Sequence, residues 1–299
     1  MFTEPLPTSD VRQLTEAKTD STLAGKVAVV TGATGGLGAA AAEAFAAHGA
    51  CVLISGRQVD RGESLAARLG SSVAFHRADV ADESQVRGLI EHALERFGRL
   101  DVLINNAGTS GTLGSVEELD LDAFADTLRV HVLGMAAGIK YAAKHMSAQG
   151  AGSIVNVASL GGHVAGWTPV DYSVAKAAVL QLTRCAAVEL GERGVRVNSI
   201  SPGPIPTGIQ LKTTGIDSDR AEQAAPALEA MFASALPTWQ PMKRVGRPDD
   251  VAAALLWLAS DASSFINGQD LAIDGGICAG RPASVSANDY LQLSQLLKQ

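Results

Sequence analysis

The chain is poor in aromatic residues, with 3 Trp, 3 Tyr and 7 Phe making 4% of its 299 residues. It has only 3 cysteines, Cys51, Cys185 and Cys278. Odd in number and far apart, they exclude a disulfide framework and read as reduced thiols. The 6 histidines show no ligand spacing with Cys or carboxylates, so no metal site is expected. No apolar run of the ~18 residues that a bilayer span needs is present. Basic clusters are absent as well, and the net charge is −7. Nucleic acid and anionic membrane surfaces are therefore not expected as partners. Met1 to Asp20 lacks a basic start followed by an apolar stretch, so no secretory signal is expected and the location expected is cytoplasmic. What the chain does have is Ala, Val, Leu and Ile in quantity: 46% of it is hydrophobic, enough for a substantial core.

From Lys26 onward, apolar strands alternate with helical patterns. Strands are predicted over 27–31, 51–55, 73–76, 101–105, 152–157, 195–200 and 270–273. Helices are predicted over 37–48, 58–69, 83–97, 122–148, 171–191 and 248–260. Such alternation builds parallel strands joined by right-handed crossovers, with helices on both faces. The expected fold is α/β: a doubly wound, seven-stranded parallel sheet of Rossmann type in a single domain. An arm over 1–24, a body over 25–276 and a tail over 277–299 complete the division. Residues 207–241 form a long insertion in which Leu228, Met231, Phe232, Leu236 and Trp239 have roughly helical spacing, with Pro226 starting or dividing the helix. It reads as a substrate lid or as a surface helix packed on the core. In the tail, Tyr290, Leu293 and Leu297 form one face of a short helix that could dock on a neighbouring subunit.

Two segments carry chemistry. Thr31-Gly32-Ala33-Thr34-Gly35-Gly36-Leu37-Gly38 follows the buried run 27–30 and opens an alanine-rich helix. Glycines there let backbone amides approach a pyrophosphate, and the helix N-terminus adds partial positive charge. Further on, Tyr172 and Lys176 stand at i and i+4, on one face of a helix. A free phenol has a pKa of about 10. A cation beside it favours the phenolate and moves it toward working pH. Ser159, thirteen residues earlier, adds a hydroxyl to the same reacting oxygen.

With the glycine loop and these three residues stand Asp79, Asn105-Asn106-Ala107-Gly108, Asn198-Ser199-Ile200-Ser201-Pro202-Gly203-Pro204-Ile205, Pro241-Met242-Lys243-Arg244-Val245-Gly246 and Asp274-Gly275-Gly276. In this order and spacing, from about Gly25 to Gly276, the chain resembles the short-chain dehydrogenase/reductase family in its single-domain form. The resemblance implies hydride transfer between a nicotinamide cofactor and a carbonyl carbon. Tyr172 would be the acid/base, Ser159 would hold the oxygen, and Lys176 would bond the nicotinamide ribose and tune Tyr172. Cofactor contacts implied are Gly32, Thr34, Gly36, Leu37 and Gly38, then Asp79 and Val80 at the adenine. Asn106, Ala107 and Gly108 would follow at the ribose, and Pro202, Gly203, Ile205 and Thr207 at the nicotinamide.

At the end of the second strand, Gly56 replaces the acid that would bond a ribose 2′-hydroxyl, and Arg57 follows. A guanidinium suits a 2′-phosphate, so NADP is expected over NAD, although Arg57 could merely stack on adenine. His131 stands where the family has Asn, which holds a water in a proton relay from Lys176. Either the imidazole keeps that relay and brings a pH dependence near neutrality, or it only fills the hole. Leu160, His163, Trp167 and Phe232, with Met231 and Trp239 beside them, are the expected pocket walls. The function expected is an NADPH-dependent carbonyl reductase or alcohol dehydrogenase for a medium or bulky ketone. A 3-oxoacyl thioester reductase and a non-catalytic dinucleotide sensor are the alternatives. A homodimer or homotetramer is implied by the resemblance.

Overall fold

A computed structural model describes residues 22–212, 216, 220 and 223–297 of the chain. Seven strands form one parallel sheet: β1 (Val27–Thr31), β2 (Cys51–Gly56), β3 (Val73–Arg77), β4 (Val102–Asn105), β5 (Gly152–Val157), β6 (Val195–Pro202) and β7 (Asp270–Ile273). Their spatial order is β3-β2-β1-β4-β5-β6-β7, and every adjacent pair is parallel. The central strands read as unbroken apolar runs because both sheet faces are covered. Alternate side chains serve opposite layers. Ala28, Val30, Val52 and Ile54 point into one cluster, under α1 (Gly36–Ala47) and α9 (Pro248–Ala259), where Phe45 and Leu255 meet them. Val29, Leu53 and Leu103 point into the other, under α3 (Glu83–Phe97), α5 (Gly134–Gln149) and α6 (Val170–Gly191). Helix α2 (Val59–Leu69) lies beside β2 and β3. The doubly wound Rossmann-type α/β expectation holds. The order reverses between β1 and β4, so a crevice opens at the carboxyl ends of those strands.

Four segments depart from the expectation. The helix predicted over 122–148 is two helices, α4 (Leu121–Leu128) and α5, joined by a π-helical turn over Arg129–Leu133. One wider turn shifts the phase, so His131 is fully buried while Leu133 is exposed. Leu23 was assigned to the arm, yet its side chain is completely buried and its N–H donates to His48 O at 3.0 Å. Residues 1–21 lie outside the described ones. In the insertion, a short α7 (Ile209–Lys212) precedes α8 (Ala225–Trp239), which has Pro226 in its first turn. Leu228, Phe232 and Leu236, spaced by four, are buried, whereas Met231 is half exposed. Met231 is thus not a pocket wall: it stands off the inward stripe. The tail carries α10 (Ala283–Leu296), a longer helix than expected, with Tyr290, Leu293 and Leu297 all exposed.

Candidate active site

A cavity of about 600 Å³ follows the carboxyl ends of the strands, from Arg57 after β2 to Trp239 on α8. At its first end Gly32, Thr34, Gly36 and Leu37 line it. Gly38 does not. A Cβ there would fall 2.6 Å from both Asn106 Nδ2 and Gly32 O, so this glycine lets the helix seat against the β4 turn. No side chain caps α1, and its first turn holds no acid. Its leading amides and dipole are left to an anion, which fits the diphosphate of a dinucleotide. Thr31 Oγ1 accepts from the N–H groups of Asn106 and Ala107 at 3.0 and 3.1 Å. Asn106 Nδ2 donates back to Thr31 O and Gly32 O. The glycine loop and the Asn106–Gly108 turn, both on the cavity wall, are locked as one unit.

Arg57, Asp79 and Val80 also reach this end. The Arg57 guanidinium lies 3.8 Å from Asp79 Oδ2, with two thirds of its side chain exposed. Asp79 Oδ1 accepts from Ala81 N at 3.0 Å. Across the cavity, Pro202, Gly203, Ile205 and Thr207 continue the wall from β6.

Ser159, Tyr172 and Lys176 meet in the middle. Ser159 leaves β5 at the start of a 3-10 turn, and its Oγ accepts from Gly161 N at 3.1 Å. Its hydroxyl also hydrogen-bonds the Tyr172 phenol. One turn along α6, Lys176 is buried, and Nζ donates to Val157 O at 2.6 Å. The ammonium stands 5.4 Å from the centre of the Tyr172 ring. Burial pulls the Lys176 pKa down to about 7. Tyr172 differs from the expectation: burial pushes its phenol above 10, and the Ser159 bond opposes that rise. The reason is loss of water around the phenol, which no charge offsets: Lys176, with its pKa pulled to about 7, has shed its proton before the phenol titrates. In the protein alone the phenol is a proton donor.

His131 lines the cavity beside them, edge-on to Tyr172 with ring centres 5.1 Å apart. Nε2 lies 3.1 Å from Thr109 N and 3.0 Å from Thr109 O, while Nδ1 is buried with no partner. Desolvation, and then the nearby Lys176 charge, hold its pKa well below 6.5. Of the two readings of His131, this direction favours the one without titration near neutrality, because burial beside a cation disfavours the imidazolium.

Of the expected walls, Leu160, Trp167 and Phe232 reach the cavity. His163 does not line it. Its Nε2 is 2.8 Å from Asp270 Oδ2 and 3.1 Å from Ser201 Oγ, because the 3-10 turn after Ser159 carries it over the β6–β7 edge. Trp239 completes an aromatic group, 5.7 Å from both Trp167 and Phe232.

Asp171 was missed. It is 1% exposed, yet its carboxylate pairs with no cation among the described residues. It accepts from Tyr172 N at 2.8 Å, Thr127 Oγ1 at 2.8 Å and Thr112 N at 3.0 Å. One side chain thereby ties α4, α6 and the loop after β4 together. Gly111 lies against it with φ of +76°, and a Cβ there would sit 2.6 Å from Asp171 Oδ1. The signal available was an acid in the first turn of the helix that carries Tyr172, where the dipole favours negative charge.

A family model described as enoyl-(acyl carrier protein) reductase matches residues 32–278. Cis-4-hydroxycyclohexanecarboxylate dehydrogenase of Sinomonas cyclohexanicum is 41% identical over 258 residues, 85% of this chain and 97% of that one. D-threitol dehydrogenase of Mycolicibacterium smegmatis is 39% identical over 260 residues, 86% and 94% of the two chains. A solved structure described as a short chain dehydrogenase/reductase family protein superposes with a TM-score of 0.73 at 37% identity, covering 86% of this chain and 99% of its own.

Proposed function

We propose that this chain, which belongs to the short-chain dehydrogenase/reductase family, is an NADP(H)-dependent carbonyl reductase, run in reverse as an alcohol dehydrogenase. That it is an oxidoreductase of CH–OH and C=O groups using a nicotinamide dinucleotide follows from the family and its relatives. The observation that carries the finer reading is the convergence of Ser159, Tyr172 and Lys176 in one cavity with the uncapped start of α1.

The nicotinamide, when bound, supplies the hydride. Tyr172 donates its phenolic proton to the carbonyl oxygen, and Ser159 Oγ–H holds the same oxygen in place. Lys176 stands behind the phenol and, in its charged form, stabilises the phenolate left after proton transfer. The neutral imidazole of His131 fixes Thr109 and so the wall facing the phenol. Arg57 at the mouth, with Gly56 in place of an acid, favours a 2′-phosphate; its pairing with Asp79 is loose enough at 3.8 Å to yield to one. A cytoplasmic enzyme, dimeric or tetrameric through α5 and α6, completes the proposal. Exposed Leu133, Val174 and Val188 on and beside these helices support the assembly.

The test is absorbance at 340 nm with NADPH and then NADH against ketones, diketones and 3-oxoacyl thioesters. Turnover of a ketone with NADPH is expected. Preference for the thioesters would replace the reading with the acyl-thioester one. Tight cofactor binding without turnover on any carbonyl would favour a sensor.

A further inference from the structure

The relatives act on a ring alcohol in one case and an open-chain polyol in the other, so kinship does not choose between them. The far wall of the cavity does. We propose that the substrate is an uncharged ring ketone, or the matching ring alcohol, gripped by Trp167, Phe232 and Trp239; this rests on the carbonyl-reductase reading above.

The three aromatics come from two separate segments. Trp167 belongs to the stretch between Ser159 and Tyr172, whereas Phe232 and Trp239 belong to α8. Trp239 meets Trp167 at 87° and Phe232 at 60°, each at 5.7 Å between ring centres. One edge-to-face and one tilted contact hold the rings as one stiff wall, because each side chain has only two torsions to fix. Phe232 is 5% exposed and anchored between Leu228 and Leu236, so the wall has a rigid base. Stiff aromatic faces reward a ligand that is itself stiff. A ring ketone presents its C–H groups to them with little conformational freedom to lose, while an open chain must freeze several torsions.

Charge points the same way. Arg57 and Asp79 follow β2 and β3, and Ser159 follows β5, three strand spacings from β2. At the usual spacing those charges stand ~14 Å or more from the reacting hydroxyls. Near the centre the only cation among the described lining residues is Lys176, which is 2% exposed and spent on Val157 O. Ser110, Thr168 and Gln210, polar residues that line the same cavity, are neutral. A substrate carboxylate or phosphate would leave water without a partner, a costly exchange.

The experiment compares kcat/KM for 4-tert-butylcyclohexanone and 1-decalone with 2-decanone and with 4-oxocyclohexanecarboxylate. Ring ketones are expected to exceed both of the others by at least about tenfold. Trp239→Ala should bring the ring and open-chain values together through KM for the ketone, leaving KM for the cofactor unchanged. In parallel, the NADP-loaded Trp257→Phe protein, whose remaining indoles are Trp167 and Trp239, is titrated with the same ketones. Saturable fluorescence change with ring ketones alone is expected. Turnover of 2-decanone or the carboxylate equal to that of the ring ketones would overturn the inference and leave the reductase reading standing. Ring-selective fluorescence change with no turnover of any carbonyl would do the reverse.

Discussion

Replacing Lys176 by Met removes a buried amine whose protonation the fold opposes, and with it the pH dependence that this amine gives the stability of the wild type in a defined window. In the folded protein the Lys176 pKa is about 7; in the unfolded chain it returns to 10.5. Between these values the unfolded chain binds more protons, so protons favour unfolding and stability rises with pH. The penalty is fully present below pH 7, reaches on the order of 4–5 kcal/mol there, and vanishes above pH 10.5. From pH 7 to pH 9 it relaxes by about 2 kcal/mol. Two other groups bear on the upper limit. Cys278, raised to about 11 from 9.0, and Tyr172, raised above 10, carry stability that is lost as pH climbs past 9. His131 and His76 are both lowered from 6.5, so they act below the window. The assay is urea unfolding of the cofactor-free protein and of Lys176→Met at pH 7, 8 and 9, at one protein concentration so that any subunit equilibrium is constant. The wild type should gain about 2 kcal/mol relative to the variant across this range. Parallel pH profiles for the two proteins would falsify the buried, half-neutral lysine and with it the account of the Tyr172 phenol.

Three further outcomes are expected. Arg57→Ala should raise KM for NADPH by ~10–100-fold while leaving KM for NADH nearly unchanged, as expected for a lost phosphate bond. Equal changes for both cofactors in steady-state kinetics would remove Arg57 from phosphate recognition. His131→Asn should leave the inflections of the kcat–pH profile between pH 6 and 8 where they are, since the imidazole is already neutral. Disappearance of an inflection near 6.5 would restore it as a titrating group. Asp171→Ala strips three donors of their acceptor and should destabilise the fold by ~3 kcal/mol or more in urea unfolding. Asp171→Asn keeps one acceptor oxygen and should recover part of that stability. In the folded Asp171→Asn variant a rise in KM for the carbonyl exceeding that for the cofactor would mark the loop after β4 as misplaced, and an unchanged ratio would make the clamp purely structural.

Much of the architecture was legible along the chain because its signals are local. Alternation of apolar runs with helical periods depends on neighbours in sequence, and so does a glycine loop between a strand and a helix. Tyr172 and Lys176 are one turn apart, so their shared face follows from helix geometry alone. What remained hidden depends on contacts across the sheet. No local period marks the π turn at Arg129–Leu133, which arises where α4 and α5 pack against α6 and which turns His131 inward. The pKa values of His131, Tyr172 and Lys176 follow from how completely the fold removes water, a quantity no spacing encodes. His163 and Met231 had plausible positions in sequence, but β7 and the phase of α8 carry them elsewhere. Asp171 shows the division most clearly. Its place beside Tyr172 was visible, while its partners Thr112 and Thr127 lie 59 and 44 residues away. Sequence determined the strands and helices, the glycine loop and the pairing of Tyr172 with Lys176, because each is set by residues near in the chain. Tertiary structure alone decided which groups are dry, which are paired and which face the cavity, because burial and pairing belong to surfaces that meet only when the chain has folded.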